Sequence, residues 1–294
     1  MAKRVIARVR AVARLTGFGL LLAWAALEWC LCLENRRTIN GRARWLQAIC
    51  RRGLRVLGVS VTSDLPKVKR LQSGGLETGG MIVCNHLGYL DILVLGASAP
   101  MIFVAKREVG GWPVFGWFAR MGGTLFVDRS RRGDVARVAQ EIEEVVSAGV
   151  CVVVFAEGTS SDGREVLPFR PALLEPAVEH RWPVLPAALD YAVPAGHSAA
   201  DEVCWWGDME LTPHLLNLAS IPWIQSRLSL GEAMSADDRA DRKTLARSMH
   251  ERVSALRTLP LEIRAMVPSV PDFAVPHLTA EFIAAAGNRE VHIV

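Results

Sequence analysis

Cysteines in a disulfide or metal-ligand pattern are missing from this 294-residue chain. Its six cysteines are scattered at 30, 32, 50, 84, 151 and 204, two in a long apolar run and two inside strand-like runs. That scatter excludes a disulfide scaffold and points to small buried hydrophobes in a reducing compartment. Zinc-finger spacing is absent, as is a basic region followed by heptads, so nothing argues for a nucleic-acid partner. No small-x-small site follows the first apolar run, and Glu34-Asn35-Arg36-Arg37 is a poor exit for a signal peptide.

What the chain has is grease and local positive charge. Hydrophobic residues make up 51%, much for a wholly soluble protein, and the excess lies partly at the N-terminus. Residues 15–33 are almost continuously apolar, with Trp24 and Trp29 inside and Glu28 as the single charge. As a helix this run is roughly 28 Å long, near the thickness of a hydrocarbon core. Glu28 is costly there, so a shallow or re-entrant seating and a full span are both open. Lys3, Arg4, Arg8, Arg10 and Arg14 precede the run, and seven arginines between 36 and 55 follow it, a pattern suited to an anionic membrane surface. Lysines and arginines on both sides give no clear orientation, and the expectation is an anchor with both ends at the cytoplasmic face. Residues 42–58 project as an amphipathic helix, with Arg44, Arg51 and Arg55 opposite Trp45, Leu46, Ile49, Val56 and Leu57. Such a helix lies in an interface or packs on its own domain.

Beyond a glycine-rich stretch, apolar runs at 81–84, 101–105, 124–127, 151–155 and 183–189 read as strands separated by longer segments. The alternation predicts an α/β fold with a substantially parallel central sheet flanked by helices, and an N-terminal membrane-associated helical module. A late strand is expected over Trp223–Leu230 and a helix over Ala236–Leu256, capped by Ser235. The divisions are a membrane-anchoring region at 1–60, a linker at 61–80, the α/β domain at 81–260 and a tail at 261–294.

Asn85-His86-Leu87-Gly88-Tyr89-Leu90-Asp91 places two polar side chains at the entrance to a buried element. If a helix starts at Asn85, His86 and Asp91 can pair. One ring nitrogen would take the proton of an attacking hydroxyl while the other donates to the carboxylate. The alternative is that Asn85 or Asp91 caps a helix and His86 is structural. The arrangement demands no metal. Arg129, just past a strand, could hold a phosphate, with Asp128 orienting it or turning the chain. Phe155-Ala156-Glu157-Gly158-Thr159-Ser160 follows another strand; Thr159 and Ser160 offer hydroxyls to an anion, and Glu157 suits orienting Arg129 or the loop. Lys106 and Arg170 add positive charge after other runs and could meet a substrate phosphate. Trp205 and Trp206, beside the polar turn at Gly207-Asp208, could line a headgroup or acyl pocket or anchor the domain at the interface. His214 with Asp208 is a competing base without the strand-exit setting.

These segments resemble the lysophosphatidate acyltransferase family, the glycerolipid acyltransferases. Asn85, His86 and Asp91 match its Asn-His-x4-Asp motif, Gly123–Arg129 its second, Phe155–Ser161 its third and Trp182–Ala188 its fourth, in family order. The resemblance implies transfer of a fatty acyl group from acyl-CoA or acyl-carrier protein, as substrate rather than cofactor, to the hydroxyl of a lysophospholipid, first of all lysophosphatidate. It implies His86 as base, Asp91 as its orienting carboxylate, and Arg129, Glu157 and Gly158 at the acceptor's phosphate. It further implies contact with membrane phospholipids, with the active site at the cytoplasmic side of a bacterial inner membrane. Ala156 replaces the usual proline of the third motif. The tryptophans before Asp208-Met209 resemble a bacterial subgroup whose acceptor is another lysolipid, such as a lyso-ornithine lipid. A lysolipid hydrolase and a noncatalytic lipid-binding protein are the other readings, and oxyanion donors are expected among backbone amides near the first motif.

Overall fold

The computed structural model describes residues 2–31, 37–63, 79–128, 131–234 and 241–257. Seven strands form one sheet in the order β1-β7-β6-β2-β5-β3-β4. They are β1 (Val59–Ser63), β2 (Gly80–Cys84), β3 (Met101–Lys106), β4 (Leu125–Val127), β5 (Cys151–Phe155), β6 (Val184–Ala192) and β7 (Ile224–Leu230). Every pairing is parallel except β6 with β7. The carboxyl ends of β2, β3, β4, β5 and β6 therefore share one edge, where open α/β sheets place ligands.

β2 and β5 are buried along their whole length, and alternate residues serve opposite faces. Ile82, Cys84, Val153 and Phe155 pack with Cys50, Leu54 and Leu57 of α2 (Ile39–Leu57) and with Leu90, Val94 and Leu95 of α3 (Leu90–Ser98). Past α4 (Phe115–Met121), the other face is covered by α5 (Arg132–Ser147) and, after α6 (Glu175–Glu179), α7 (Ala199–Glu202) and α8 (Leu211–Ser220), by α9 (Arg242–Arg257). There Met81, Val83, Val152 and Val154 meet Val138, Ile142, Leu245 and Met249. This double burial explains why the strands read as unbroken apolar runs.

α2 packs on its own domain. Thr38 Oγ1 caps it by accepting from Gly41 N at 2.9 Å, and Gly58 ends it with φ +70. A side chain at Gly58 would also run into the Arg14 guanidinium. The next residue opens β1, which pairs with β7, so the sheet already spans the boundary expected at residues 60 and 61. α9 starts at Arg242 and is capped by Asp241, whose Oδ1 accepts from Lys243 N and Thr244 N. The expected cap Ser235 and the tail after residue 257 lie outside the described residues.

For the first helix, α1 (Ala2–Leu31), the sequence leaves a span and a shallow seating both open. Among the described residues no helix is long and apolar enough to cross a membrane. α1 instead lies against the domain and turns an apolar stripe outward: Val5, Val9, Val12, Leu20, Leu27 and Leu31 recur at helical spacing and are all exposed. Arg10 and Arg14, two of the arginines expected at a membrane surface, are used internally. Arg10 donates to Ser220 O at 2.8 Å, and Arg14 to Ile221 O at 2.6 Å and Pro222 O at 3.0 Å. They cap the carbonyl end of α8, where the helix dipole favours a cation. Burial, then neighbouring Arg10, lowers the Arg14 guanidinium to about 10. Glu28 lies 4.0 Å from Arg52, which also stacks over Trp24.

Candidate active site

After Cys84 the chain leaves the sheet as a loop and enters α3 only at Leu90, so the His-x4-Asp spacing closes through that loop and not through a helix begun at Asn85. Asn85 fixes the exit from the sheet. Its Nδ2 donates to Leu189 O at 3.0 Å and its Oδ1 accepts from Leu189 N at 2.8 Å, carrying the β2–β6 ladder one residue further. Gly88 then turns the chain with φ +153, and a Cβ there would stand 2.9 Å from Trp205 N.

Asp91 has 0% of its surface exposed. Its Oδ2 accepts from Leu87 N at 2.6 Å, Gly88 N at 3.0 Å and His86 Nδ1 at 2.8 Å. Two backbone amides thus hold the carboxylate in place before the imidazole reaches it. A proton on Nδ1 satisfies this contact and leaves Nε2 as an acceptor. The His86 side chain keeps 23% exposure, and its ring stacks on Phe155 of β5 at 4.0 Å between centroids.

Glu157 holds His86 from behind. Its Oε1 accepts from His86 N at 2.8 Å and its Oε2 from Leu167 N at 3.2 Å, while Ser161 N donates to His86 O at 2.9 Å. Glu157 therefore fastens the first motif to the third. With the residue 3% exposed, burial pushes its carboxyl up to about 7, against the pull of the two amides. The amides of His86, Leu87 and Gly88 are all committed to carboxylates, which removes them as the expected oxyanion donors.

A family model described as Acyltransferase matches residues 60–190. The lyso-ornithine lipid O-acyltransferase of Brucella abortus is 40% identical over 187 residues, covering 60% of this chain and 70% of that protein. The chain belongs to the glycerolipid acyltransferase family. A 1-acyl-sn-glycerol-3-phosphate acyltransferase of Neisseria meningitidis is 30% identical over 197 residues, 67% of this chain and 72% of that one. The crystal structure of PlsC, the 1-acyl-sn-glycerophosphate acyltransferase of Thermotoga maritima, shares the fold with a TM-score of 0.64 at 17% identity, covering 86% of this chain and 95% of that chain.

In this acyltransferase the third motif turns at Gly158, whose φ is +76 and whose amide donates to Phe155 O at 3.1 Å. Thr159 is exposed just beyond it. Arg170 is brought beside the same turn: its amide donates to Ala156 O at 2.8 Å and its Nε to Glu157 O at 3.3 Å. Lys106 ends β3 on the shared strand edge and is exposed. Arg129 lies outside the described residues, but the chain leading to it is held: Asp128 N donates to Asp134 Oδ2 at 2.6 Å, and the Asp128 carboxylate meets Arg107 at 3.5 Å and Arg131 at 3.4 Å.

The competing histidine is engaged elsewhere. His214 Nε2 lies 3.0 Å from Cys204 O, which can only accept, so Nδ1 accepts from Tyr89 OH at 2.8 Å. Burial lowers its pKa and keeps it neutral in that role. Cys84 is fully buried, and burial pushes its thiol well above the usual range, which suits packing and not nucleophilic attack. The residue missed altogether is Tyr191 of β6, which donates to Asp91 Oδ1 at 2.6 Å from 100 positions along the chain.

Proposed function

We propose that this acyltransferase moves a fatty acyl group from an acyl thioester, acyl-CoA or acyl-carrier protein, to the free hydroxyl of a lysolipid. The 2.8 Å contact between His86 Nδ1 and Asp91 Oδ2 carries the reading, because it leaves Nε2 as the basic nitrogen. The acceptor O–H gives its proton to Nε2 while its oxygen attacks the thioester carbonyl. The tetrahedral adduct then collapses, the C–S bond breaks, and the sulfur leaves as thiol with the proton carried by His86. No acyl-enzyme is needed.

Two acceptors fit. Lyso-ornithine lipid is favoured by relatives of that name at 40%, 33% and 32% identity. Lysophosphatidate, the acceptor the motifs lead one to expect, is supported by relatives at 30% and 29% and by Lys106 and Arg170 at the strand-edge side of the site. The outward apolar stripe of α1, with Lys3, Arg4 and Arg8 exposed along the same helix, supports a seat in the cytoplasmic leaflet of a bacterial inner membrane without a span. The test offers purified enzyme lyso-ornithine lipid and lysophosphatidate with each donor and identifies the products. Acylated lipid is expected. Free fatty acid without acylated lipid would make the protein a hydrolase, and binding without turnover a lipid-binding protein.

A further inference from the structure

Asp91 is loaded unevenly. Three donors converge on Oδ2, whereas among the described residues Oδ1 has one, the Tyr191 hydroxyl at 2.6 Å. Both groups are buried, so losing that donor would leave a carboxylate oxygen in an apolar core without a partner. Tyr191 lies two residues beyond Leu189, the residue clamped by Asn85, and on the same face of β6. Its backbone is paired with Ser226 on β7, which fixes where the ring starts. One strand therefore locates both ends of the catalytic loop, Asn85 through its backbone and Asp91 through a side chain long and rigid enough to cross from sheet to helix.

We propose that Tyr191 is a positioning residue for acyl transfer, orienting Asp91 and sharing its negative charge so that His86 Nε2 is aimed and tuned as the base. The proposal rests on the reading of His86 and Asp91 given above. Burial, then the nearby Asp91 charge, pushes the Tyr191 hydroxyl well above its usual range, so it remains a donor at any working pH. A phenol donating to Oδ1 draws charge from the carboxylate and weakens its hold on a protonated His86. The other titratable groups around this pair are Cys84 on β2, Glu157 after β5, Cys204 in a covering loop with Asp162 acting on it, Asp190 on β6 and Arg257 at the end of α9. Of these, Asp190 is itself held by Arg227 and Arg257 at 2.7 and 2.9 Å, so those two ion pairs are the fixed background to the Tyr191 contact.

The test follows His86 itself. Its ring nitrogens are assigned in the intact protein by the NMR signals lost in His86→Ala, then titrated in wild type and Tyr191→Phe. Removing the hydroxyl should raise the His86 midpoint by ~0.5–1 pH unit and carry the acidic limb of the kcat/KM profile with it. The value of kcat should fall about tenfold, with both substrates' KM within about twofold of wild type, as expected for a lost hydrogen bond to a charged group. A stronger donor, 3-fluorotyrosine at position 191, should move the midpoint the other way, which keeps the idea testable if Tyr191→Phe folds poorly. A midpoint that stays put in either variant overturns the proposal, whatever happens to the rate. Because the titration needs no turnover, a wild-type protein that acylates no lysolipid would count against the proposed function and leave the Tyr191 contact still measurable.

Discussion

The exit of β2 and the first helix bury opposite things. Around His86 the polar groups are inside and densely bonded: among the described residues the side chains of Asn85, Asp91 and Glu157 together receive or make nine hydrogen bonds, to strand and loop. Along α1 the cations Arg10 and Arg14 are turned inward onto carbonyls, and Val5, Val9, Val12, Leu20, Leu27 and Leu31 face out. A base must be held in one orientation, and buried polar groups with every partner in place do that. An outward apolar stripe of the kind proposed to meet lipid needs no such network on its outer side, only apolar area and a fixed angle. The arginines supply the angle by fastening α1 to α8.

The contrast breaks most sharply at Asp91. Asp91→Asn keeps the shape but offers an amide where the His86 Nδ1–H donates, favouring the wrong tautomer, and should lower kcat/KM about a thousandfold with little change in binding. Steady-state kinetics with both acceptors checks it. Opposite behaviour is expected of α1. Leu20 and Leu27 are 67% and 57% exposed, so Leu20→Glu with Leu27→Glu should reduce sedimentation with anionic vesicles about tenfold while leaving thermal stability unchanged. A fall in melting temperature without loss of vesicle binding would mean the stripe faces protein.

Arg14 links the two regions. Arg14→Ala gives up its bonds to Ile221 and Pro222 carbonyls and should cost about 1–2 kcal/mol in denaturant unfolding, with kcat on detergent-dispersed substrate nearly unchanged. The smallest effect concerns Glu157. Folded, its carboxyl keeps a proton up to about pH 7, and unfolded only to about 4.5. Between those values the folded state binds more protons, so this group's contribution is greatest below about 4.5 and is lost as pH rises to about 7. Glu157→Gln should flatten the pH dependence of the melting temperature across that window by ~2–4 °C relative to wild type.

Much of the domain is legible in the chain because its central strands are buried on both faces. Met81–Cys84 and Cys151–Phe155 read as strands with no periodicity to interpret. β1 is harder, since Val59–Ser63 alternates buried and exposed positions at the sheet edge, beside a glycine-rich stretch that reads as a linker. His86 and Asp91 are legible because five positions separate them. The roles of Glu157 and Tyr191 are not, because their partners lie 71 and 100 positions away and are created by the order of strands in the sheet. α1 is legible only in part: an apolar run records that residues avoid water, without recording which of them pack inward, as Phe18 and Ala25 do, and which form an outward stripe, as Leu20 and Leu27 do.

The most direct test compares wild type with His86→Ala on lyso-ornithine lipid and lysophosphatidate, each with an acyl thioester, by mass spectrometry of the lipid product. Wild type should form the acylated lipid, and the variant should form it at least about a thousandfold more slowly while still binding the acceptor. Transfer by His86→Ala at the wild-type rate would contradict the assignment of the base.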